Sequence, residues 1–488
     1  MTDHDMRIWC AASSTGQEAY TLAMTIDHYF GSRKELWDTH ILATDLDTEV
    51  LRTAKAGIYT ADMLEGLPPE WVRSYFVRME KGVYQVADRI RNQVIFKKFN
   101  LMDDIKYKKP FDLISCRNVM IYFDNSATTF VDDRVLDTFC KVCKEYPGNS
   151  NSIHSLGVKS KELEDYATSK IAKMLNVKDS EIIYTSGATE SNNTVIKGVA
   201  SKYRNRGNHI ITTHLEHSST TQTMKYLESK GFVIDYVNID EDGLIDLDNL
   251  KELINDKTIL VAISYVDSEL GIRQNIKEIR KIISSYPKCL FHVDATQAIG
   301  KIKIDFNDMD FMSMSGHKIF GMKGIGLLVK KDNIVIDNLL HGGKSTTVYR
   351  SGTPALPLIC SLMKAMEIIM PLIEDNYFYV QGLNTGIVNN LKKYDNIHIN
   401  STKNSIPYII NFSIMGIKPE TFIHAMEEEG IFISTKSACS TNDLSNSVYA
   451  VYHDNDIATH SIRISLSYKN TIEEVNTFNR VFDKVINK

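Results

Sequence analysis

The 488-residue sequence lacks several features that would place it in a membrane or outside the cell. It has no window of about 18 or more uncharged apolar residues, so no transmembrane span is expected. The first residues, MTDHDMRIWCAASS, carry acids where a secretory signal has a basic region followed by an apolar run. These absences favour a location in the cytoplasm.

The sequence also lacks a basic excess and a cysteine scaffold. Its formal net charge is -5, which gives no general attraction to nucleic acid or to an anionic membrane surface. The seven cysteines are an odd number without disulfide-scaffold spacing, so reduced thiols are expected. Cys140 and Cys143 form a CxxC pair, but no second pair accompanies it for zinc. We expect ordinary helix packing there and no metal site.

Apolar patterning predicts two α/β regions. Before residue 122, strands such as MRIWC and HILATDLD alternate with helices such as GQEAYTLAMTIDHYF, which is typical of a doubly wound parallel sheet. The stretch GLPPEWVRSYFVRMEKGVYQV is predicted to be a less regular connection. From Asp124 the alternation restarts, with helices predicted over 131–145 and 158–177. The predicted domains are 1–121, 122–374 and a smaller α+β domain over 375–488.

A lysine and an aspartate in the second region suggest a cofactor. Lys318 lies in SMSGHKIFGMKGIG, between a strand and a glycine-rich turn, and Asp294 ends the strand in FHVDATQAIG. A surface lysine is the common alternative. Pyridoxal phosphate requires such a pair, because a lysine forms the Schiff base and an acid keeps the pyridine nitrogen protonated.

The stretch YTSGATESNN adds a candidate phosphate site. Gly187, Ala188 and Thr189 lie between a predicted strand and a predicted helix, where backbone N–H groups and a hydroxyl bind anions. Many capped helices begin in the same way. His217 in LEHSST has a flat ring that could cover a cofactor, although a lone histidine is more often structural.

Taken together and in order, YFDNSATT, SGATESNN, EHSS, HVDATQ, SGHK, HGG, RSGT and SACST resemble the cysteine desulfurase branch of the class V aminotransferases, over about residues 122–488. The resemblance implies a fold-type I pyridoxal-phosphate enzyme with a large α/β domain and a small α+β domain. It implies that such a protein converts L-cysteine to L-alanine and passes the sulfur to an acceptor, such as an iron–sulfur scaffold protein.

The resemblance also assigns roles to individual residues. Lys318 would form the Schiff base, Asp294 would hold the pyridine nitrogen, and His217 would stack on the ring. Gln297 would hydrogen-bond the phenolic oxygen of the cofactor. The phosphate would be held by Thr189, Ser315 and His317, with the Ala188 backbone nearby. Thr353 in RSGT matches a threonine that completes the phosphate site of the neighbouring subunit, which implies a homodimer.

Two further residues would act on the substrate. Cys439 lies in STKSACSTNDLSNS, where polar neighbours fit a reactive exposed cysteine better than a buried one. In the family this cysteine attacks the substrate sulfur and retains it as a persulfide. Arg463 in HSIRISLS matches the arginine that binds the substrate carboxylate, for which a planar donor is suited. A surface arginine on a strand is the alternative.

The sequence departs from the family pattern at two places. Where much of the family has two asparagines, this chain has Asp267 and Ser268. Ser268 can still donate one hydrogen bond to the cofactor, and Asp267 adds a charge nearby. The family's GNPSS stretch appears as GNSNS, without its proline.

The first region carries a second resemblance. IWCAASSTGQEAYTLAM, ATDLDTEVL and FDLISCRNVMIYF resemble the S-adenosylmethionine (SAM) domain of chemotaxis-receptor glutamate methyltransferases, over about residues 7–124. The resemblance implies a vestigial SAM site formed by Glu18, Asp45, Asn100, Leu101, Arg117 and Asn118. The family's helical N-terminal domain and the strands that should follow FDLISC are missing, so an exposed sheet edge is expected and SAM binding is not.

The sequence leaves two alternatives to a desulfurase with an inactive first region. One is a methyltransferase with an inactive appended domain. The other is a chimera in which neither half functions. Residues Tyr122 to Asp124 are shared by the motifs of both families and mark the boundary between them.

Overall fold

The computed structural model describes residues 4–64, 66–99, 107, 109–116, 120–343, 345–435 and 444–486. The chain divides into two compact units, Met1–Ile121 and Tyr122–Lys488.

The first unit is built on a parallel four-stranded sheet. The strands of the whole unit are β1 (Ile8–Ala11), β2 (Ile41–Asp45), β3 (Ile58–Thr60), β4 (Phe76–Glu80), β5 (Val83–Val86), β6 (Val94–Lys98) and β7 (Leu113–Cys116). Its helices are α1 (Gln17–Phe30), α2 (Thr48–Ala56), α3 (Pro69–Tyr75) and α4 (Asp88–Arg91). The main sheet has the order β6-β2-β1-β7. Helix α1 follows β1 and helix α2 follows β2, in the alternating order that the sequence predicts.

Strand β7 forms one edge of this sheet and exposes apolar side chains. Leu113 is 45% exposed and Ile114 is 53% exposed, although both belong to a strand that pairs with β1 on its other side. An exposed apolar edge strand is a site at which another strand can add.

The connection around Pro68 and Pro69 is more regular than the sequence suggests. Strands β4 and β5 form an antiparallel hairpin, and β3 pairs with β5. The hairpin turns at Lys81 and Gly82, and Gly82 has a φ of 81°, a conformation that glycine adopts without a steric penalty. Most of β4 is exposed. Because the strand carries charged residues, the sequence lacks the apolar alternation that would have predicted it.

The second unit is larger and contains a seven-stranded sheet. The strands from the unit boundary onward are β8 (Ile121–Tyr122), β9 (Ile182–Thr185), β10 (His209–Thr212), β11 (Val233–Tyr236), β12 (Thr258–Ser264), β13 (Leu290–Asp294), β14 (Phe311–Ser315), β15 (Gly326–Lys330), β16 (Ile397–Ile399), β17 (Ile409–Ile414), β18 (Ile431–Phe432) and β19 (Ser461–Ser465). The helices are α5 (Asp133–Glu145), α6 (Ser155–Leu175), α7 (Ala188–Lys202), α8 (Ser218–Glu228), α9 (Leu247–Leu253), α10 (Ile276–Ile283), α11 (Leu356–Ile369), α12 (Ile373–Leu391), α13 (Pro419–Glu427), α14 (Asn446–Tyr452), α15 (Asn455–Thr459) and α16 (Ile472–Ile486).

The large sheet has the order β11-β10-β12-β13-β14-β15-β9. Its strands are parallel except β15, which is antiparallel to both of its neighbours. Strand β12 is buried along its whole length, as expected for a parallel strand covered on both faces. The carboxyl ends of β9, β10, β12, β13 and β14 therefore lie along one edge of the sheet, where ligands bind in open α/β folds.

The C-terminal part adds a smaller antiparallel sheet in the order β16-β17-β19. Between the two sheets in sequence, the stretch Leu356–Leu391 is long and apolar enough to cross a membrane by length and composition, but 56% of its most apolar window is buried inside the protein. A helix of the protein core is also long, apolar and mostly buried, so this stretch fits a core position.

The CxxC pair differs from its expected environment. Cys140 and Cys143 lie on α5, and both are exposed rather than packed. Within the described ranges, Cys10, Cys289 and Cys360 are also free thiols, and no group of three metal-ligating side chains occurs there.

Candidate active site

A cavity of about 220 Å³ opens at the carboxyl ends of the parallel strands of the second unit. Strands β12, β13 and β14 end at Ser264, Asp294 and Ser315, and all three residues line it. Ten residues predicted from the sequence lie around this one cavity: Ala188, Thr189, His217, Ser268, Asp294, Gln297, Ser315, His317, Lys318 and Arg463. Motifs separated by more than 270 positions are therefore brought together by the sheet topology.

Lys318 is held at the cavity wall by two backbone carbonyls. It lies in a 3₁₀ turn, Gly316–Lys318, directly after β14. Its Nζ donates hydrogen bonds to the carbonyl oxygens of Ser126 and, at 2.7 Å, Ala127. The lysine is thus directed into the cavity rather than into solvent.

Asp294 is connected to His217 by a continuous set of hydrogen bonds. Asn192 Nδ2 donates to Asp294 Oδ2 at 2.7 Å and to Ser219 Oγ at 2.9 Å. Ser219 Oγ lies 2.9 Å from His217 Nδ1. Because an amide nitrogen only donates, Ser219 Oγ accepts from Asn192 and donates its own proton to the histidine.

The same contacts fix the protonation state of His217. The backbone N–H of Ser219 also donates to Nδ1, at 3.1 Å, so this nitrogen carries no proton and the neutral ring bears its proton on Nε2. Burial and the charge of Lys318 lower the pKa of His217, against the opposing effects of Asp294 and Glu269. The imidazole at the cavity wall is therefore neutral.

Polar groups also line the cavity where α7 begins. Gly187 precedes the helix with a φ of 154°, a conformation that side chains rarely permit. Ala188 N donates to Ser315 Oγ at 2.8 Å. Thr189 lies in the first turn of α7, whose N-terminus favours anions. Burial, with Lys318 and Lys323 nearby, lowers the pKa of His317 to about 4.

Arg463, on β19, is almost fully buried, with 1% of its surface exposed. Its Nη2 donates to Asp124 Oδ1 and to Ser434 Oγ, both at 2.8 Å, and its Nη1 donates to the Ser268 carbonyl at 3.0 Å. Its Nε is buried with no hydrogen-bond partner in the described structure. A planar donor with one unused N–H at a cavity is suited to a carboxylate.

The two residues that depart from the family pattern point in different directions. Ser268 lines the cavity, whereas Asp267 does not. Asp267 is 1% exposed, and its carboxylate accepts hydrogen bonds from the Glu269 N–H at 3.1 Å, the Leu270 N–H and the Ser447 hydroxyl at 3.1 Å. Burial, reinforced by Glu269, raises the pKa of Asp267 to about 7. The added acid thus belongs to the packing behind the site.

The remaining predicted residues of the second unit are Cys439 and Thr353. Cys439 falls within 436–443, outside the described residues. Thr353 is exposed and does not line the cavity.

In the first unit, Glu18 accepts a hydrogen bond from Ser115 at 2.6 Å. Asp45 accepts the N–H groups of Ser14 at 2.8 Å and Asp47 at 3.0 Å. Asn100, Leu101, Arg117 and Asn118 also lie outside the described residues.

Sequence reasoning missed five lining residues: Ser126, Ala127, Ser264, Val266 and Thr296. Ser126 and Ala127 belong to the YFDNSATT motif, and Thr296 belongs to HVDATQ, so the motifs contained the signal without indicating a role. Ser264 is hydrogen-bonded to Glu216, whose carboxylate accepts from the Ser264 N–H at 2.9 Å. Burial raises the pKa of Glu216 to about 8.

Two family models match overlapping parts of the chain. The model of class-V aminotransferases matches residues 121–478. The model of the SAM-binding domain of CheR methyltransferases matches residues 1–164. The two matches overlap over residues 121–164, so the CheR match extends into the second unit.

Curated relatives match about three quarters of the chain. A NifS/IcsS protein homolog of Lactobacillus delbrueckii is 37% identical, covering 75% of this chain and 97% of the relative. The cysteine desulfurase IscS of Clostridium botulinum is 35% identical, covering 76% and 95%. The human cysteine desulfurase is 37% identical, covering 73% and 79%.

Solved structures agree with these relatives. A NifS-like protein is 35% identical with a TM-score of 0.72, covering 75% of this chain and 99% of that one. A NifS-like protein from Rickettsia africae is 29% identical with a TM-score of 0.68, covering 76% and 100%. The fold-type I expectation for the second unit is therefore confirmed, and the chain belongs to the class-V aminotransferase family, in which its relatives are cysteine desulfurases.

Proposed function

We propose that this protein is a pyridoxal-phosphate-dependent cysteine desulfurase whose activity resides in the second unit. The observation that carries the proposal is that Lys318, Asp294 and Arg463 all line the same cavity. These residues supply an amine, a carboxylate and a buried guanidinium group. The family implies the cofactor, and the relatives act on cysteine by name.

The residues around the cavity fit pyridoxal phosphate. Ser126 Oγ and Arg463 Nε are buried polar atoms without partners in the described structure, and such atoms mark a place that a ligand completes. Asp294, only 6% exposed, would hold the ring nitrogen. The start of α7, with Thr189, Ser315 and His317, would hold the phosphate. When bound, the cofactor supplies an electron sink for the bonds at the substrate Cα.

The protein's own residues then divide the remaining work. Arg463 binds the carboxylate of L-cysteine, and its unused Nε supplies one of the hydrogen bonds. Lys318 would hold the cofactor through its amine. His217 would stack on the ring and present its Nε2–H to the substrate. Ser268, which lines the cavity, takes the place of a longer asparagine.

The sulfur is transferred to Cys439 in this proposal. The Cys439 thiolate attacks the substrate sulfur, the carbon–sulfur bond breaks, and the electron pair remains with the amino-acid part, which is protonated and leaves as L-alanine. The protein retains a persulfide. The overall change is L-cysteine plus one protein thiol giving L-alanine plus one protein persulfide.

Incubation of the protein with L-cysteine and pyridoxal phosphate tests the proposal when alanine and persulfide are measured together. The expected result is one persulfide for each alanine in the first turnover. Lys318→Ala should abolish both products and the visible absorption of the bound cofactor. Cys439→Ser should abolish the persulfide, whereas Cys140→Ser serves as a matched control with an exposed thiol. Full persulfide formation by Cys439→Ser would contradict the assignment.

The finer features of the proposal concern the partners. We expect a homodimer, since Thr353 is exposed and lies away from the cavity of its own chain. The sulfur acceptor would be a carrier such as an iron–sulfur scaffold protein. A cytoplasmic location fits an activity that depends on a free thiol. Sedimentation of the purified protein tests the dimer.

For the first unit we propose a vestigial SAM site without methyltransferase activity. Both oxygens of Asp45 accept hydrogen bonds from N–H groups of the unit's own backbone. These N–H groups compete with the ribose hydroxyls of SAM for the carboxylate. Titration with SAM, followed by the fluorescence of Trp9, Trp37 and Trp71, tests this proposal. Tight saturable binding would overturn it and restore the methyltransferase alternative.

A further inference from the structure

Lys301 is a buried lysine that lies behind the candidate active site. It is 6% exposed and does not line the cavity. Its Nζ donates a hydrogen bond of 2.6 Å to Gln297 Oε1. Gln297 does line the cavity, so Lys301 reaches the site through one intervening side chain.

The contacts of Gln297 determine how its amide group is oriented. A lysine ammonium group can only donate, so the side chain of Gln297 must turn its oxygen towards Lys301. The Gln297 Nε2 then lies 2.9 Å from the Ser126 carbonyl, which can only accept and which also accepts a hydrogen bond from Lys318. Nε2 has a second proton, and this proton remains for a group in the cavity. Without Lys301, only the Ser126 carbonyl would hold the amide in this orientation, and the Gln297 oxygen would lose its donor.

The charge of Lys301 has no carboxylate to balance it. Among the ion pairs of the described residues, none includes Lys301, and the aromatic ring of Tyr408 lies 5.9 Å from its Nζ. Burial, with the charges of Lys318 and Arg463, lowers the pKa of Lys301 to about 7. Three cationic side chains thus surround one region, and an isolated buried charge is costly. An anionic ligand in the cavity would offset part of this cost.

We propose that Lys301 is a positioning residue of the active site, which orients the Gln297 amide as a hydrogen-bond donor and adds positive charge behind the phenolic oxygen of the cofactor. The inference rests on the proposed function, because it requires pyridoxal phosphate in the cavity. It predicts that Lys301 stabilises the deprotonated form of the bound cofactor through both the hydrogen bond and the charge.

The test compares Lys301→Met with wild type by the visible absorption of the bound cofactor as a function of pH. Loss of the buried charge should raise the midpoint of this titration by about one pH unit. Lys303→Met is the matched control, since Lys303 is an exposed lysine two positions away that pairs with Glu374, and its midpoint should not move. An unchanged midpoint in Lys301→Met would overturn the proposal.

A double-mutant cycle tests whether Lys301 acts through Gln297. If it does, the midpoint shifts of Lys301→Met and Gln297→Met should not add in the double variant, and full additivity would contradict the relay. Lys301→Leu, which also removes the hydrogen bond and the charge, replaces Lys301→Met in the cycle if the latter does not fold. Failure of the wild type to bind pyridoxal phosphate would instead refute the proposed function, so the two failures are distinguishable.

Discussion

The two units keep recognisable motifs but use the polar residues of those motifs differently. In the second unit, Asp294 and Lys318 lie at the ends of neighbouring elements and face one cavity. In the first unit, the oxygens of Asp45 are bound to nearby backbone N–H groups, and strand β7 exposes Leu113 and Ile114. A motif thus retains its local structure more readily than the environment that makes it functional.

The distribution of tryptophan allows the two units to be followed separately. Trp9, Trp37 and Trp71 are the three tryptophans of the chain, and all belong to the first unit. Intrinsic tryptophan fluorescence therefore reports on the first unit, whereas the visible absorption of bound pyridoxal phosphate would report on the second.

The largest expected effect separates the two aspartates. Asp294→Asn should lower the rate of alanine formation from L-cysteine by about 100-fold or more, because a neutral amide cannot balance a protonated ring nitrogen. Asp45→Asn should leave the rate within about twofold of wild type, the expectation for a position outside the catalytic unit. Steady-state assays of both variants measure the contrast, and a large loss in Asp45→Asn would break the comparison.

A second prediction concerns the independence of the units. Ala23 is fully buried in the core of the first unit, so Ala23→Asp should destabilise that unit by about 3 kcal/mol or more through an unpaired buried charge. Tryptophan fluorescence should shift to the red, while cofactor absorption and alanine formation persist. Thr21→Asp, at an exposed position of the same helix, is the control. Loss of cofactor binding in Ala23→Asp would show that the second unit depends on the first.

A smaller effect is expected where Asp294 is linked to His217. The Ser219 hydroxyl donates to His217 Nδ1 and so stabilises the neutral imidazole. Ser219→Ala removes this hydroxyl, so the pKa of His217 should rise. The acid limb of the pH–rate profile should then move up by about half a pH unit, with about a fivefold loss of rate from one hydrogen bond. Ser218→Ala is the neighbouring control. A loss of rate without a shift of the profile would indicate a structural role only.

The smallest effect concerns Asp267, the acid that departs from the family pattern. Its folded-state pKa of about 7 lies above the usual value, so its contribution to stability is present at low pH and is lost as the pH rises through 7. Asp267→Asn lacks this ionisation and should gain about 1 kcal/mol over wild type between pH 6 and pH 8. Urea unfolding followed by cofactor absorption measures the difference, and exposed Asp256→Asn should show none.

The motifs predicted which residues share the cavity because parallel strands place their carboxyl ends together. They could not predict Asn192 or Lys301, whose importance depends on burial and on hydrogen bonds across distant segments. They also did not indicate that Asp267 turns away from the cavity. The β4–β5 hairpin was missed for a different reason, since β4 is mostly exposed and carries charged residues, and neither strand alternates between buried and exposed positions.

The pairing of Arg463 with Asp124 links the start of the second unit to its C-terminal sheet. Asp124 is the last residue of the triplet that both parent motifs share, and the preceding Phe123 is fully buried against Phe478. Removal of the chain up to and including Asp124 would take an aromatic residue from the core and the carboxylate that neutralises a buried guanidinium. The second unit therefore needs Phe123 and Asp124 both for its packing and for the arginine at its cavity.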